Sequence, residues 1–490
     1  MKIFPLIFSI IIIVLISFSS GCYKEKFYEG NDLQLRFSTD TLTFDTVFTT
    51  VGSATKILKI YNDKDLAVKI SEIKIENNTH DQFRLNIDGI SSNSAKNVEI
   101  GANDSIYIFA ETRINPDDPL SISPFIIEDN LVFEANGNTQ KVLLEAWGQN
   151  ANYITGKGKG KHFLTTCDMG EIVWDDPKPY VLYGSLHIDS CTLTLPSNTK
   201  LYIHGGIAKS SNGNFYYDGN LYFHKYGKLK TLGTTEEPVI IQTDRLEQKY
   251  QDINALWSGI YFLPESRGSK LNNTIIQNAT VGLYLDSLAS ISLNNTKIYH
   301  IGAVGIYSRH AELNAINCLI ADIGSYNIVV DYGGKVDMTF CTIYNNNKDD
   351  ALVLKNYKCL DDDCVNTDPY PLNANFTNCI IYGGNQDELL LSNATKDIPD
   401  NFIYHFDNCL FRVKDITKNN QFPHFFDNTT ECINGAGENN LFLDVEKYDY
   451  RPDTMAIVID KGKYISDILS DIDGLPRDAN PDIGCYEFQK

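Results

Sequence analysis

The sequence predicts an all-β protein that consists of an N-terminal β-sandwich followed by a right-handed parallel β-helix. Two observations predict this fold class. Short runs of alternating apolar and polar residues, separated by turn residues, fill positions 30–150, and such runs are typical of antiparallel sandwiches. From Thr274 onward a strand pattern returns, first after 22 or 23 residues and later at longer intervals. A unit of that length cannot close its own core, so neighbouring units must stack.

The chain begins with a short segment that is typical of exported proteins. Lys2 precedes an apolar run from Phe4 to Phe18, which is shorter than the roughly 20 apolar residues of a membrane-spanning helix. This pattern predicts a signal peptide over residues 1–21. The segment Phe18-Ser19-Ser20-Gly21-Cys22 resembles the lipobox of bacterial lipoproteins, and this resemblance implies that Cys22 is acylated. An ordinary signal peptide followed by an incidental cysteine is the alternative.

The lipobox resemblance also implies a location. Acyl chains on Cys22 would hold the protein to a bilayer, because each buried methylene contributes about 0.8 kcal/mol. Residues 22–29 would then form a tether. We therefore expect a lipoprotein of the bacterial cell envelope, attached to the outer membrane and facing either the cell surface or the periplasm.

The composition excludes one class of partner. The formal net charge is −21, with 63 acidic against 42 basic side chains. Such a charge repels phosphate backbones, so we do not expect nucleic acid as a partner. The 28 tyrosines and 25 phenylalanines indicate a packed chain rather than a disordered one.

Residues 30–150 are predicted to form one β-sandwich. Their alternating runs include Thr55–Tyr61, Val68–Ile75 and Asp104–Phe109, and a turn at Asn136-Gly137-Asn138 joins two later runs. The pattern is similar to that of immunoglobulin-like modules of the Hydin type, and the resemblance implies a spacer or adhesion unit. The residues that carry the resemblance are Val51, Gly52, Ile60, Asn62, Leu144, Ala146 and Gly148.

The main body carries a repeated strand that starts with a small residue. Two positions later comes an apolar residue, and the position between is mixed, so the first and third side chains are predicted to face inward. The strand begins at Thr274, Thr296, Cys318, Cys341, Cys379 and Cys409. A second strand per unit is predicted at Gly259–Phe262, Gly282–Leu285, Gly305–Ser308, Asn327–Val330, Ala351–Leu354 and Glu388–Leu391. These units predict a β-helix over residues 165–413, with C-terminal coils and a cap over residues 414–490.

Two motifs resemble those of secreted right-handed β-helix proteins of the pectate-lyase-like repeat family. Trp257-Ser258-Gly259-Ile260 is similar to the W-x-G-I start of the regular coils. Asp471–Arg477 followed by Pro481–Glu487 resembles the ending D-x-D-G-x-P-R and D-I-G-A-Y-E, with Cys485 where alanine is usual. The resemblance covers about residues 165–490. It implies a surface protein or, as in some members, a polysaccharide lyase or hydrolase.

The cysteines predict two different environments. Those at the repeat position share it with Thr274 and Thr296, so we interpret them as a ladder of small buried side chains. Cys359 and Cys364 lie in a long loop, where a loop-closing disulfide is expected. Between them, Asp361, Asp362 and Asp363 are candidate Ca²⁺ ligands, and a solvated acidic loop is the alternative; no other cofactor is expected.

Asparagine precedes most of the repeated strands. Stacked asparagines form hydrogen-bonded ladders, so we interpret these residues as a structural feature of a coil corner rather than as a ligand site. They are Asn273, Asn295, Asn317, Asn378 and Asn408.

The sequence offers only weak candidates for an active site. His300, Arg309 and His310 lie close in sequence near one coil boundary, and Asp286 lies one coil earlier. They form a catalytic hypothesis whose alternative is isolated surface residues. The Gly-His-Gly segment of polygalacturonase-type hydrolases is missing from the sequence. Aromatic residues of the first coils are candidate platforms for sugar rings, with core packing as the alternative. These are Tyr216, Tyr217, Tyr222 and Tyr226.

The sequence thus favours a lipid-anchored, non-enzymatic surface β-helix that binds a glycan or another surface protein. The alternative is a polysaccharide lyase or glycoside hydrolase that acts on an acidic polysaccharide with a Ca²⁺-assisted site on the β-helix flank. Three carboxylates from neighbouring coils beside a lysine or arginine would favour the enzyme. A purely structural stalk is a third hypothesis.

Overall fold

The structure, a computed structural model, divides the chain into two compact units, Met1–Asn150 and Ala151–Lys490. The predicted signal peptide and the predicted lipidation site Cys22 lie outside the described residues. No helix of the described part is long and apolar enough to span a bilayer. The structure describes residues 26–48, 55–77, 82–112, 125–149, 151–155, 162–209, 215–246, 250–395, 398–416, 422–435 and 441–488.

The first unit is a β-sandwich of two five-stranded sheets, as predicted. Apolar residues of both sheets, among them Phe44, Leu58 and Phe133, share one core. Phe27, near the end of the predicted tether, forms an isolated bridge with Ala67 of this unit. The immunoglobulin-like assignment stays a prediction. One sheet contains, in spatial order, Arg36–Phe37, Lys56–Tyr61, Ser105–Thr112, Phe83–Ile87 and Ile90–Ser91. The other contains Thr41–Phe48, Asn138–Gln149, Phe125–Ala135, Val68–Ile75 and Ser94–Ile100.

The second unit is a parallel β-helix with three strands in a complete coil, which we name the A, B and C strands in chain order. Like strands of successive coils pair in parallel, so that Tyr284 lies beside Tyr307. The C strands form a sheet of 11 strands, and the A and B strands together form a sheet of 17 strands. The repeated strand of the sequence is the C strand, and the second predicted strand is the A strand. The B strand between them is an addition that the sequence did not predict.

The strand bounds follow the coils along the chain. The A strands are His162–Thr166, Ser185–Asp189, Asn220–Phe223, Trp257–Phe262, Ala279–Leu285, Leu352–Lys355 and Leu389–Ser392. The B strands are Glu171–Val173, Thr192–Pro196, Lys228–Leu232, Arg267–Asn272, Ser290–Asn294, Leu372–Thr377, Phe402–Asp407 and Thr429–Thr430. Two long strands, Val304–Ile316 and Ile328–Thr339, run through both positions. The C strands are Asn152–Thr155, Tyr180–Tyr183, Lys200–His204, Val239–Thr243, Thr274–Gln277, Lys297–Tyr299, Leu319–Ala321, Thr342–Asn345, Ile380–Gly383, Leu410–Phe411 and Ile433–Asn434.

Short elements outside the coils complete the second unit. They are the hairpins Gly206–Lys209 with Phe215–Asp218, Tyr357–Cys359 with Thr367–Pro369 and Phe442–Asp444 with Asp449–Pro452, and the 3-10 helices Pro399–Asn401, Phe425–Asn428 and Val445–Lys447.

The predicted cysteine ladder is confirmed. The four repeat cysteines are buried free thiols at the starts of C strands, and each donates a hydrogen bond to a backbone carbonyl, as Cys379 does to Thr377 at 3.3 Å. Burial raises the pKa of the Cys379 thiol well above its usual range. A disulfide joins Cys359 to Cys364, and another, which the sequence did not predict, joins Cys167 to Cys191.

The asparagines before the C strands occupy sharp corners. Asn273, Asn295 and Asn317 have φ values of 42°, 49° and 49°, in the left-handed region that asparagine adopts more readily than most residues. Asn295 also donates a hydrogen bond to the side-chain oxygen of Asn273 at 3.2 Å. The structural interpretation of this row is therefore confirmed.

The last part of the chain, residues 441–488, lies against the outer face of the later C strands. We name it the C-terminal segment. Its Val458, Ile483 and Cys485 are fully buried in a cluster with outward residues of the C strands, including Leu319 and Ile380. Residues 429–434 supply a final B and C strand, whereas the C-terminal segment adds no coil and covers a flank instead.

Candidate functional site

One outward side of the A strands carries a row of tyrosines. Tyr222, Tyr261, Tyr284 and Tyr307 occupy the same position in successive coils, and we name them the tyrosine row. Successive ring centroids are 5.1, 5.7 and 5.5 Å apart. The residues on both sides of each tyrosine point into the core, so these rings are held at the surface by the two-residue alternation of the strand. All of them are half-buried.

The ring of His187 extends the row by one coil, 4.8 Å from Tyr222. In the other direction the same position holds Val329, Val353 and Leu390. The aromatic part of the surface therefore ends after Tyr307, and aliphatic side chains continue the column.

A column of charged residues lies two positions further along the same strands. It contains Asp286, Arg309, Asp331 and Lys355, with alternating sign from coil to coil, and we name it the charged row. Arg309 pairs in register with Asp331, and its guanidinium lies 4.0 Å from the Asp286 carboxylate. The ammonium of Lys355 lies 3.2 Å from the Asp331 carboxylate.

Hydrogen bonds join the two rows. Arg309 donates to the hydroxyl of Tyr284 at 2.7 Å, and its guanidinium lies 4.7 Å from the ring centroid of Tyr332. The hydroxyl of Tyr307 donates to Asp331 at 2.8 Å. The hydroxyls of Tyr284 and Tyr307 thus contact the charged row, whereas the hydroxyl of Tyr261 is hydrogen-bonded to that of Ser258 at 3.0 Å.

The protonation states of this surface are fixed by burial and by these contacts. Burial raises the pKa of Tyr307, and the nearby Asp331 carboxylate raises it further. Burial also raises the pKa of Tyr261. Burial opposes the charge of Arg309, but its hydrogen bond to Tyr284 and the nearby Asp286 carboxylate, with the other polar neighbours, together outweigh burial and raise the pKa of Arg309. At neutral pH the surface therefore presents Tyr261 and Tyr307 as protonated phenols beside a charged Arg309.

The structure separates the four sequence-predicted catalytic candidates. Asp286 and Arg309 lie together in the charged row. His310 is adjacent to Arg309 in sequence, but its φ of 48° turns the chain at the corner between A and B strands. Its ring lies 5.1 Å from that of Tyr370, beside a cavity of about 400 Å³.

His300, the fourth candidate, lies on a different side of the β-helix, at the end of a C strand. Its side chain is almost fully buried, with Nδ1 2.5 Å from the Asp322 carboxylate and Nε2 3.5 Å from that of Asp252. The four residues therefore do not form one site.

Of the predicted aromatic platforms, only Tyr222 belongs to the tyrosine row. Tyr226 is half-exposed at a turn, and the Lys225 ammonium lies 5.2 Å from its ring centroid. Tyr216 and Tyr217 lie in the strand Phe215–Asp218, and their side chains lie outside the described part of the structure.

The predicted calcium ligands lie in the loop closed by the Cys359–Cys364 disulfide. Asp361 accepts hydrogen bonds from the backbone of Val365 and Asn366 at 2.8 and 3.0 Å, so its carboxylate holds the turn. Asp362 and Asp363 are exposed. Among the described residues, no group of three or more His, Cys, Asp or Glu side chains is arranged to hold a metal ion.

Sequence reasoning did not single out Tyr261, Tyr284 or Tyr307 as a surface. A signal was present, because an apolar residue followed by tyrosine recurs at the same point of four A strands. Asp331 and Lys355 were also not identified, and their roles depend on the coil register that aligns them with Arg309.

Comparisons with known proteins bear on the fold. A search of curated proteins found no match for this chain. Among solved structures, the catalytic unit of a GH87 alpha-1,3-glucanase from Streptomyces thermodiastaticus is 10% identical, with 78% of this chain and 76% of that chain covered and a TM-score of 0.27. XylC in complex with xylose is 7% identical, with coverages of 91% and 89% and a TM-score of 0.35. A PapD-like domain of human CEP192 is 8% identical, with coverages of 27% and 97% and a TM-score of 0.17. All three scores are low, and no conclusion about function follows from them.

A family comparison agrees with the parallel coils. Residues 258–442 match the family described as right-handed beta helix region. These residues contain the tyrosine row from Tyr261 onward and the whole charged row. Together, the match and the parallel ladders of A, B and C strands identify the second unit as a right-handed parallel β-helix.

Proposed function

We propose that this protein is a lipid-anchored cell-envelope protein that binds a polysaccharide along the tyrosine row without cleaving it. The tyrosine row is the observation that carries the proposal. Outward positions of a sheet usually hold polar residues, whereas here four coils in succession present a half-buried ring. A continuous aromatic surface of this kind favours a binding face.

The shape and charge of the surface support a neutral or weakly charged polymer as the ligand. Coils lie about 4.8 Å apart, so the four rings extend over roughly 14 Å along the β-helix. Tyrosine combines an apolar ring with a hydrogen-bonding hydroxyl, which matches the apolar and hydroxyl-bearing parts of a sugar chain. The charged row is balanced by its own pairs, and the net charge of −21 opposes binding of a strong polyanion.

Binding is tested by retention of the full-length protein on immobilised acidic and neutral polysaccharides, with and without Ca²⁺. The test variant is Tyr261→Val combined with Tyr284→Val, because valine occupies the same column at Val329 and Val353 and fits the strand. We expect the variant to bind roughly thirtyfold more weakly, since the two aromatic contacts together contribute on the order of 2 kcal/mol. Tyr107→Val, at an exposed tyrosine of the sandwich, is the control and should bind like the unaltered protein.

The same samples show whether the polymer is cut. We expect no new reducing ends and no unsaturated-uronate absorbance. Retention that is equal in the double valine variant and the unaltered protein contradicts the proposal. Retention on no polymer of the panel also contradicts it and points to a protein partner.

A polysaccharide lyase or glycoside hydrolase is the second candidate function. The observation in its favour is that two carboxylates, Asp286 and Asp331, flank the Arg309 guanidinium on adjacent coils. Cleavage of any polymer that is lost in Arg309→Ala would replace the binding proposal with this one. Dependence of that cleavage on added Ca²⁺ would assign the Ca²⁺-assisted form of the reaction.

The anchor is supported by the lipobox resemblance of Phe18–Cys22. In the variant Cys22→Ser the acylated thiol is replaced, so we expect the protein to leave the membrane fraction of the expressing cells and to lose incorporation of radiolabelled palmitate. Cys432→Ser, at a partly exposed thiol, is the matched control. Membrane association that persists in Cys22→Ser contradicts a lipid anchor at this residue.

A further inference from the structure

A cavity of about 480 Å³ lies on the outer face of the C strands, on a different side of the β-helix from the tyrosine row. Gln242, Gln277 and Tyr299 line it from three successive C strands. The outward residues of the following coils are covered by the C-terminal segment, and Tyr448 and Tyr450 of that segment form the opposite wall. The cavity lies at the edge of the area that the C-terminal segment covers, next to the amide side chains of Gln242 and Gln277.

Polar groups of the cavity are held in fixed positions. The Gln277 amide donates to the Gln242 side-chain oxygen at 2.5 Å. His300 is oriented by Asp322, and its Nε2 lies 3.5 Å from the Asp252 carboxylate. The ring of Tyr448 meets that of His300 edge to face, with centroids 4.4 Å apart. These contacts make a rigid polar floor beside aromatic walls, an arrangement that is typical of small-molecule sites.

One buried group of the cavity wall has no partner among the residues that the structure describes. Tyr450 lines the cavity and is 2% exposed, and its hydroxyl is buried without a hydrogen-bond partner in this part of the chain. Native proteins rarely leave such a group unpaired. Burial raises the pKa of Tyr450, and the negative charge of Asp322 raises it further, so the hydroxyl stays protonated and can donate to a ligand oxygen that reaches this wall.

The lining charges are balanced. Arg245 and Asp252 contribute one charge of each sign to the lining, and Lys297 is held by an ion pair with Asp473 at 2.9 Å. A charged ligand would therefore gain little, whereas a neutral molecule with several hydroxyl groups can bond to the amides and to the Tyr450 hydroxyl and pack on the tyrosine rings. We propose that this cavity is a binding site for a small neutral saccharide. The proposal is independent of the tyrosine row.

The test titrates the full-length protein with glucose, galactose, mannose, maltose and cellobiose, and follows binding by saturation-transfer NMR and calorimetry. At least one of these sugars is expected to bind. Tyr450→Phe should weaken that binding about tenfold or more, because a site built to bond a hydroxyl discriminates strongly when one partner is missing. The same variant should keep or raise the Tm, since the hydroxyl has no hydrogen-bond partner within the described ranges. Tyr464→Phe, at an exposed tyrosine of the same segment, should change neither quantity.

Three outcomes overturn the inference. They are binding of none of the five sugars, equal binding by Tyr450→Phe and the unaltered protein, and tighter binding of glucuronate or inorganic phosphate than of any neutral sugar. The double variant Tyr261→Val with Tyr284→Val separates the two proposals. Sugar binding that persists in that variant, while polysaccharide retention is lost, assigns two sites to the chain.

Discussion

At the scale of single residues, Asp331 connects the tyrosine row to the charged row. Its carboxylate accepts the hydroxyl of Tyr307 and pairs with the ammonium of Lys355, and its side chain is only 10% exposed. Removal of one member of a mostly buried pair leaves the other charge without compensation, which costs more than the loss of an exposed pair.

We predict that Asp331→Ala lowers the free energy of unfolding by about 3 kcal/mol, because Lys355 is left unpaired and Tyr307 loses its acceptor. Asp337→Ala is the matched control. It removes a carboxylate that pairs with Lys335 at 3.0 Å, but both side chains are far more exposed, so we expect a loss of at most about 1 kcal/mol. Urea unfolding followed by tryptophan fluorescence gives both values. Equal losses in the two variants would show that burial of the Asp331 pair has no such effect.

Residue-level prediction from the sequence succeeded where a residue's role is local. The disulfide between Cys359 and Cys364 was predicted because both residues lie in the same loop. Lys355 was not identified, because its partner Asp331 precedes it by a whole coil and the register of the coils decides the contact. Pairing across coils cannot be derived from local sequence where loops of different length intervene.

At the scale of elements, the corners before the C strands serve two purposes. Asn295 and Asn317 have the same φ of 49°, so both meet the same backbone requirement. Asn317 in addition donates to the backbone oxygen of Ser470 at 2.8 Å and accepts from Arg477 at 3.1 Å. This corner therefore also holds the C-terminal segment to the β-helix.

We predict that Asn317→Ala destabilises the protein more than Asn295→Ala does. An alanine in the left-handed region costs roughly 1–2 kcal/mol at either corner. At Asn317 the buried guanidinium of Arg477 also loses an acceptor, which adds about 1–3 kcal/mol. Urea unfolding measures both, and limited proteolysis of the C-terminal segment should accelerate only in Asn317→Ala. If the two variants have equal free energies of unfolding and equal rates of proteolysis, Asn317 does not hold the C-terminal segment to the β-helix.

The ending motif, which resembles that of secreted β-helix proteins, gains a physical explanation from these contacts. The Arg477 guanidinium pairs with Glu487 at 3.0 Å and lies 3.9 Å from the ring centroid of Phe340. Asp471 accepts the backbone N–H groups of Asp473 and Leu475 at 2.9 and 2.8 Å. The motif thus forms a compact turn that fixes the segment against the coils. The motif could be recognised in the sequence, but the residues that it contacts could not, because Phe340 lies more than a hundred positions earlier.

At the scale of the whole molecule, the order of the two units followed from the sequence. Alternating runs indicated the sandwich, and the 22-residue repeat indicated the coils, because both patterns reflect which side chains are buried. The B strands carried too weak a repeat to be separated from the turns. The path of residues 441–488 could not be predicted either, because these residues show no sequence repeat and pack on strands that are far away in the sequence. The cavity that we propose as a saccharide site is lined in part by this segment, so it could not be predicted from the sequence.

The central claim is that a polysaccharide lies on the tyrosine row and is not cut. Hydroxyl-radical footprinting of the full-length protein, with and without the polysaccharide that retains it most strongly, measures this directly by mass spectrometry. We predict that oxidation of Tyr261, Tyr284 and Tyr307 falls when the polysaccharide is bound, that oxidation of the exposed Tyr107 and Tyr464 is unchanged, and that the polymer keeps its length. Unchanged oxidation of the row, protection of the two exposed tyrosines instead, or a shortened polymer would contradict the account.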